Sequence, residues 1–229
     1  IKTYTVDLGE ESVVVDTVLA SGKIQEILET TGLKTILRGH GSGGDSQPAH
    51  LGAAVAIING SNGTKGLARF VQVSKDNCVI DGTIDGLCPG LHGIHIHEFG
   101  DLSDGCNSTG DHFNPYSKDH GAPQDDNRHV GDLGNVSANA GGRATFRMED
   151  NNVKVWDIIG RALVIHEGED DLGRGGHQFS KTTGNSGARV GCGIIARSAG
   201  LFQNTKKYCS CDGRILWDDG PIRATGSQL

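Results

Sequence analysis

No apolar run in these 229 residues reaches the roughly eighteen that a membrane-spanning helix needs, and no secretory signal is legible. Positive charge is also short. Twenty-one Lys and Arg stand against 28 Asp and Glu, a net charge of -7, which argues against nucleic acid or an anionic membrane surface as a partner. Cysteine is sparse: six residues at irregular spacing are too few for a disulfide scaffold in a chain this long. There is no internal repeat, and the one flexible tract is His40-Gly-Ser-Gly-Gly-Asp-Ser-Gln-Pro48, which reads as a linker between domains. Glycine is what abounds. The 36 glycines are about twice the usual frequency of roughly 7%, and because glycine weakens helices a loop-rich β domain is expected. The length allows one large domain and a small one.

Ten histidines are present, and six of them fall with one carboxylate in the order His95, His97, His112, His120, His129, Asp132 and His166. The first two lie in Leu91-His92-Gly93-Ile94-His95-Ile96-His97, an alternating run that predicts a β-strand with both side chains on one face, able to grip one ion. The next four lie in a stretch rich in Gly, Pro, Asp and Asn, from Gly100 to Gly134, where loop backbone can fold round an ion. Imidazole and carboxylate suit zinc, and imidazole also suits copper, so the pattern points to a two-metal site. His92 has the opposite strand parity and reads as a structural, hydrogen-bonding residue; His40, His50 and His177 fit no ligand position and read as solvent-facing.

Five segments, Gly90-Leu-His-Gly-Ile-His-Ile-His-Glu-Phe-Gly-Asp101, Gly110-Asp-His-Phe-Asn-Pro115, Arg128-His-Val-Gly-Asp-Leu-Gly-Asn135, Gly160-Arg-Ala-Leu-Val-Ile-His166 and Thr183-Gly-Asn-Ser-Gly-Ala-Arg189, together resemble the copper/zinc superoxide dismutase family. The likeness runs from about Ala49 to Ser198. It implies a copper site at His95, His97, His112 and His166, and a zinc site at His112, His120, His129 and Asp132 with His112 shared as an imidazolate. A ring that serves two metals must lose both nitrogen protons. The resemblance further implies that Asp170 links ligands of the two sites, that Arg189 draws an anion toward copper, and that Cys106 and Cys192 form a disulfide. Cys78 reads as a buried thiol, and Cys88 has no role that the sequence assigns.

Two further pieces flank this centre. Ile1 to Leu8 and Ser12 to Leu19 predict a hairpin, Ser21 to Gly32 a helix with Ser21 as its N-cap, and Leu33 to Arg38 one more strand, the latter part of a β-α-β-β-α-β ferredoxin-like unit. Beyond Ser198 comes Lys207-Tyr-Cys209-Ser-Cys211-Asp-Gly213, two thiols one residue apart that can share a Cu(I) ion or exchange with a disulfide. With Arg147-Met-Glu-Asp150, Lys154-Val-Trp-Asp157 and Ile194-Ile-Ala-Arg-Ser-Ala-Gly-Leu-Phe-Gln-Asn204, the whole chain resembles the copper chaperones for superoxide dismutase. That family carries a Met-x-Cys-x-x-Cys copper loop in its first domain, and this chain, opening on Ile1, is expected to begin after it.

The expected architecture is mainly β. Residues 1–41 form a partial ferredoxin-like domain without its first strand, helix and copper loop; 42–48 a linker; 49–198 an eight-stranded antiparallel Greek-key barrel like that of superoxide dismutase; and 199–229 a C-x-C segment for copper transfer. Eight strands are predicted, at 53–59, 66–74, 78–85, 90–97, 134–138, 144–149, 162–166 and 192–196, with the metals on the loops 100–134 and 167–188. The resemblance implies zinc and copper as metals, a heterodimer with copper/zinc superoxide dismutase, and a homodimer through the same central domain. The leading expectation is a metallochaperone whose Cys209 and Cys211 carry Cu(I) to that enzyme and help form its disulfide. The alternative is a dismutase in its own right, because all four copper-site histidines are kept. An unpaired C-x-C suits a reducing compartment, so the cytoplasm is expected, with the mitochondrial intermembrane space as a second location.

Overall fold

A computed structural model describes residues 1–9, 11–33, 35, 51–60 and 63–198. The linker, most of the strand expected at 33–38, His40, His50, and the tail with Cys209 and Cys211 lie outside them. Eight of the strands close into an antiparallel barrel: β3 (Ala53–Gly60), β4 (Lys65–Ser74), β5 (Asn77–Asp85), β6 (Gly90–His97), β8 (Asp132–Ala138), β9 (Ala144–Asp150), β10 (Ala162–His166) and β11 (Arg189–Ser198). Their order round the barrel is β10-β11-β3-β4-β5-β9-β8-β6, with β6 pairing β10 to close it. β5 pairs with β9 and β6 with β10, so two connections cross over neighbours, as a Greek key requires.

The barrel strands alternate except where bulges shift the register, as they do opposite Gly93–His95 on β8 and opposite Ile165–His166 on β11. On β6, Ile94 and Ile96 point inward to the core and His95 and His97 point out. The core is filled by Ile58, Phe70, Ile80, Ile84, Leu163 and Ile195, all fully buried. The eight expected strands are all found, with ends shifted by up to three residues, most at β11, which starts at Arg189. The sequence reading left out four short elements in the loops: β7 (Ser103–Cys106), a 3-10 turn (Asn107–Thr109), α2 (Val155–Ile158) and α3 (Ser180–Thr183). None is long enough to set up a periodicity of its own.

The N-terminal segment forms a hairpin, β1 (Thr3–Asp7) with β2 (Ser12–Asp16), followed by α1 (Ser21–Glu29). All five residues of β1 are exposed, so the alternation in its sequence corresponds to no buried face among the described residues. The helix ends earlier than expected, at Glu29 with Thr30 as its C-cap, and Gly32 follows at φ +85. The N-cap expectation is corrected: the cap position is Ala20, which offers no side-chain acceptor, while Ser21 turns to Asp81 on β5. A long-range carboxylate has taken over what local sequence assigns to the helix itself. No helix among the described residues is long and apolar enough to cross a membrane.

Cys106 and Cys192 form a disulfide that ties the loop after β6 to β11. Cys78 is buried, its thiol pushed up to about 12 by burial and by the nearby Asp150, whereas Cys88 is exposed. Brief iodoacetamide treatment of the native protein near pH 8, followed by peptide mapping, should therefore label Cys88 and spare Cys78. Phe70→Ala should lower unfolding stability by about 3–5 kcal/mol in a denaturant titration, because the barrel cannot collapse to refill that volume.

Candidate metal centre

His95 and His97 leave β6 on the outer face of the barrel, yet both are buried, because the loops 98–131 and 167–188 fold over them. Register sets their neighbours. His95 is opposite Val164 on β10 and Asp132 on β8, and His97 is opposite Ala162 and bridges to His112. His166, the last residue of β10, comes in beside them. Donor atoms of His95, His97, His112 and His166 all lie within 4.8 Å of one another, and so do those of His95, His112, His120 and Asp132. The His95 and His112 rings stack at 3.9 Å.

Two carboxylates organise the cluster. Asp132 Oδ1 faces three imidazoles by the same ring atom: Nδ1 of His112 at 2.8 Å, of His120 at 3.0 Å and of His129 at 3.1 Å. Its Oδ2 accepts from the backbone N–H of Gly121 and of His129. Asp170 accepts from His95 Nε2 and His120 Nε2, each at 2.8 Å, so one buried carboxylate joins a member of each expected ligand set. Asn135 in turn clamps Asp170, donating to its carbonyl and accepting from its N–H. Arg128 donates to the Asp132 carbonyl and to Asp150, fixing the loop to the end of β9. The sequence reading quoted Arg128 and Asn135 within motifs but gave neither a role.

These bonds decide which nitrogens are free. His95 gives its Nε2–H to Asp170, which leaves its Nδ1 with a lone pair and no hydrogen-bond partner, whereas His120 gives Nε2–H to the same carboxylate and turns Nδ1 to Asp132 Oδ1 at 3.0 Å. His112 Nδ1 donates to Asp132, and its Nε2 is likewise unpartnered. His97 donates Nδ1–H to the Gly110 carbonyl and His166 to that of Gly187, so their two Nε2 atoms face each other as lone pairs 3.4 Å apart. Buried acceptors without donors cost about 1–3 kcal/mol each, and a cation among them removes that cost. The donor set fits copper and zinc, both bound through imidazole, with a carboxylate on the zinc side.

Protonation follows the same geometry. Burial and the nearby His112 hold His95 and His97 well below the ordinary imidazole value, and burial takes His166 down to about 4. His120 goes the other way: burial opposes its cation, but Asp132 and Asp170 outweigh that and raise it to about 9. Burial also opposes ionisation of Asp132, yet the three histidines hold it far below the usual carboxylate range. His92 is buried between the carbonyls of His166 and Cys88, a structural tie, and His177 is exposed. Arg189 spends its guanidinium on the disulfide loop, donating to the carbonyls of Cys106 and Gly110 and to Thr109 Oγ1. Gly184, at φ +65, passes so near that a Cβ there would strike Asp170 and His120.

The family model for copper/zinc superoxide dismutase matches residues 64–195. Over 228 residues the chain is 60% identical to the copper chaperone for superoxide dismutase of Mus musculus and 58% identical to that of Homo sapiens. Each alignment covers 99% of this chain and 82% of the relative. This chain belongs to the copper chaperones for superoxide dismutase, within the copper/zinc superoxide dismutase family. Superoxide dismutase [Cu-Zn] 2 of Mesembryanthemum crystallinum is 56% identical over 151 residues, which is 97% of that enzyme but 65% of this chain.

Asp170→Asn keeps the size of the side chain and loses one acceptor for the two Nε2–H groups. Metal uptake by the apoprotein, followed by competition with a chromophoric chelator, should weaken by about 10–100-fold, with the circular dichroism of the barrel unchanged.

Proposed function

We propose that this chain delivers Cu(I) to a copper/zinc superoxide dismutase, with the barrel as docking body and Cys209 and Cys211 as the carriers of the ion. One observation carries the reading: the chaperone relatives align with 99% of the chain, whereas the enzyme relative is complete within 65% of it. The remainder of the chain is thus shared with chaperones and has no counterpart in that enzyme. Thiolates at one-residue spacing select the cuprous ion, and the same pair can enter thiol–disulfide exchange to help form the client's disulfide. Copper is cargo in this reading.

Zinc is the resident metal, assigned to His112, His120, His129 and Asp132; the convergence of three Nδ1 atoms on Asp132 supports it. When bound, zinc would pin the loop between β7 and β8 to the barrel. Docking is assigned to the face where Phe99 and Ile194 are exposed on either side of Gly100, with Leu102 nearby. A superoxide dismutase subunit would cover that face in a heterodimer and a second copy of this chain would cover it in a homodimer. The cytoplasm, with the mitochondrial intermembrane space, is the assigned location. A second reading, dismutation by the chain itself, has support in the four histidine donors gathered at His95, His97, His112 and His166, beside Arg189.

Copper-loaded protein mixed with apo superoxide dismutase should activate it, and Cys209→Ser/Cys211→Ser should lower that activation at least about tenfold, since the soft ligands are gone. Unchanged activation by the double variant, with strong dismutation by the chain alone, would sink the chaperone reading in favour of the second. Asp132→Ala should lose zinc before copper in metal analysis, and parental zinc content would overturn the ligand assignment.

A further inference from the structure

The N-terminal segment and the barrel meet at the start of α1, through Ser21 and Gly22. Ser21 opens α1 and donates twice to Asp81 of β5, from its backbone N–H at 2.9 Å and from its hydroxyl. Asp81 is 1% exposed and stands in a cross-strand row, Arg69 on β4, Asp81 on β5 and Arg147 on β9, with Arg147 Nη1 at 3.9 Å. Two residues on, Thr83 and Thr145 form the next pair of the same outer face. Gly22 lies on that pair so closely that a Cβ would sit 2.5 Å from Thr145 Cγ2 and 2.7 Å from Thr83 Oγ1. Farther along the helix, Glu26 and Glu29 act on Arg143, which is paired with Asp85 at 2.6 Å.

Gly22 is the only residue of α1 that is fully buried. The helix has nine residues, fewer than the roughly 12–15 at which isolated helices begin to hold in water. Its own cap residue, Ala20, supplies no acceptor. Asp81 therefore provides from another part of the chain the anion and acceptor that the helix start requires. Round the barrel, β5 is four strands from β10 in either direction, so α1 sits on the wall opposite His166.

We infer that Asp81 is a docking carboxylate: it parks the N-terminal segment on the wall opposite the histidine cluster, in a polar latch that opens without unfolding the barrel. The latch is held by hydrogen bonds to one carboxylate and by the close seat of Gly22 on Thr83 and Thr145, and none of these groups belongs to the barrel core.

Amide hydrogen exchange on the full chain tests this. In Ser21→Ala and Asp81→Asn, the amides of 22–29 should exchange roughly tenfold or more faster than in the parent, since hydrogen bonds to an ionised group are lost. Amides of β4, β5 and β9 should keep parental rates. Gly22→Val, which cannot seat against Thr83 and Thr145, should give the same result while leaving the Asp81 row intact. Parental protection of α1 in Ser21→Ala and Gly22→Val would overturn the latch, even if Asp81→Asn unfolded the barrel. Protection that rises with protein concentration would also overturn it, by showing that the docked helix comes from a second copy.

Discussion

Buried imidazole lone pairs without donors are the constraint from which the rest of the structure follows. His95 Nδ1 and His112 Nε2 have no hydrogen-bond partner, and the Nε2 atoms of His97 and His166 confront each other. A protein interior tolerates such groups only where something repays their desolvation. Asp132 and Asp170 do part of that by fixing tautomers, so that every remaining lone pair is turned to a common space. A bound cation would do the rest, which is why the same geometry reads as selectivity for a metal.

Those residues are gathered by loops, and the loops are held by chemistry that is not metal-dependent. Arg189 and the Cys106–Cys192 disulfide anchor the stretch after β6 to β11. His120 N–H donates to the Lys181 carbonyl, joining the two long loops, and Arg174 pairs with Asp125 across them. The barrel supplies the fixed wall, with Ile94 and Ile96 in the core holding His95 and His97 in register on the other face. The enzyme relative spans 65% of the chain and the chaperone relatives 99%, so the parts of the chain that the enzyme lacks separate the two kinds of relative.

Much was legible in the residues. The alternation of Leu91 to His97 placed two histidines on one face, and the observed strand β6 does so. The motif likeness placed a barrel from about residue 49, and the barrel closes between β6 and β10. The start of α1 was not legible, because Ser21 matches a capping residue locally while its acceptor stands sixty residues away on β5. The hairpin was legible as strands, although the folded segment leaves all five residues of β1 exposed. Arg128 and Asn135 could be seen only as letters inside motifs, since their bonds run to Asp150 and Asp170, 22 and 35 residues on.

The sequence alone determined the strands, the order of the seven metal-type ligands and the sulfur pair beyond the barrel, since side-chain chemistry and a period of two are written locally. Only the tertiary structure decided which ring nitrogen faces the metal space, what Arg128 and Asn135 hold, and where the N-terminal helix finds its cap. Hydrogen bonds between distant segments set all three, and their partners meet only when the barrel has closed.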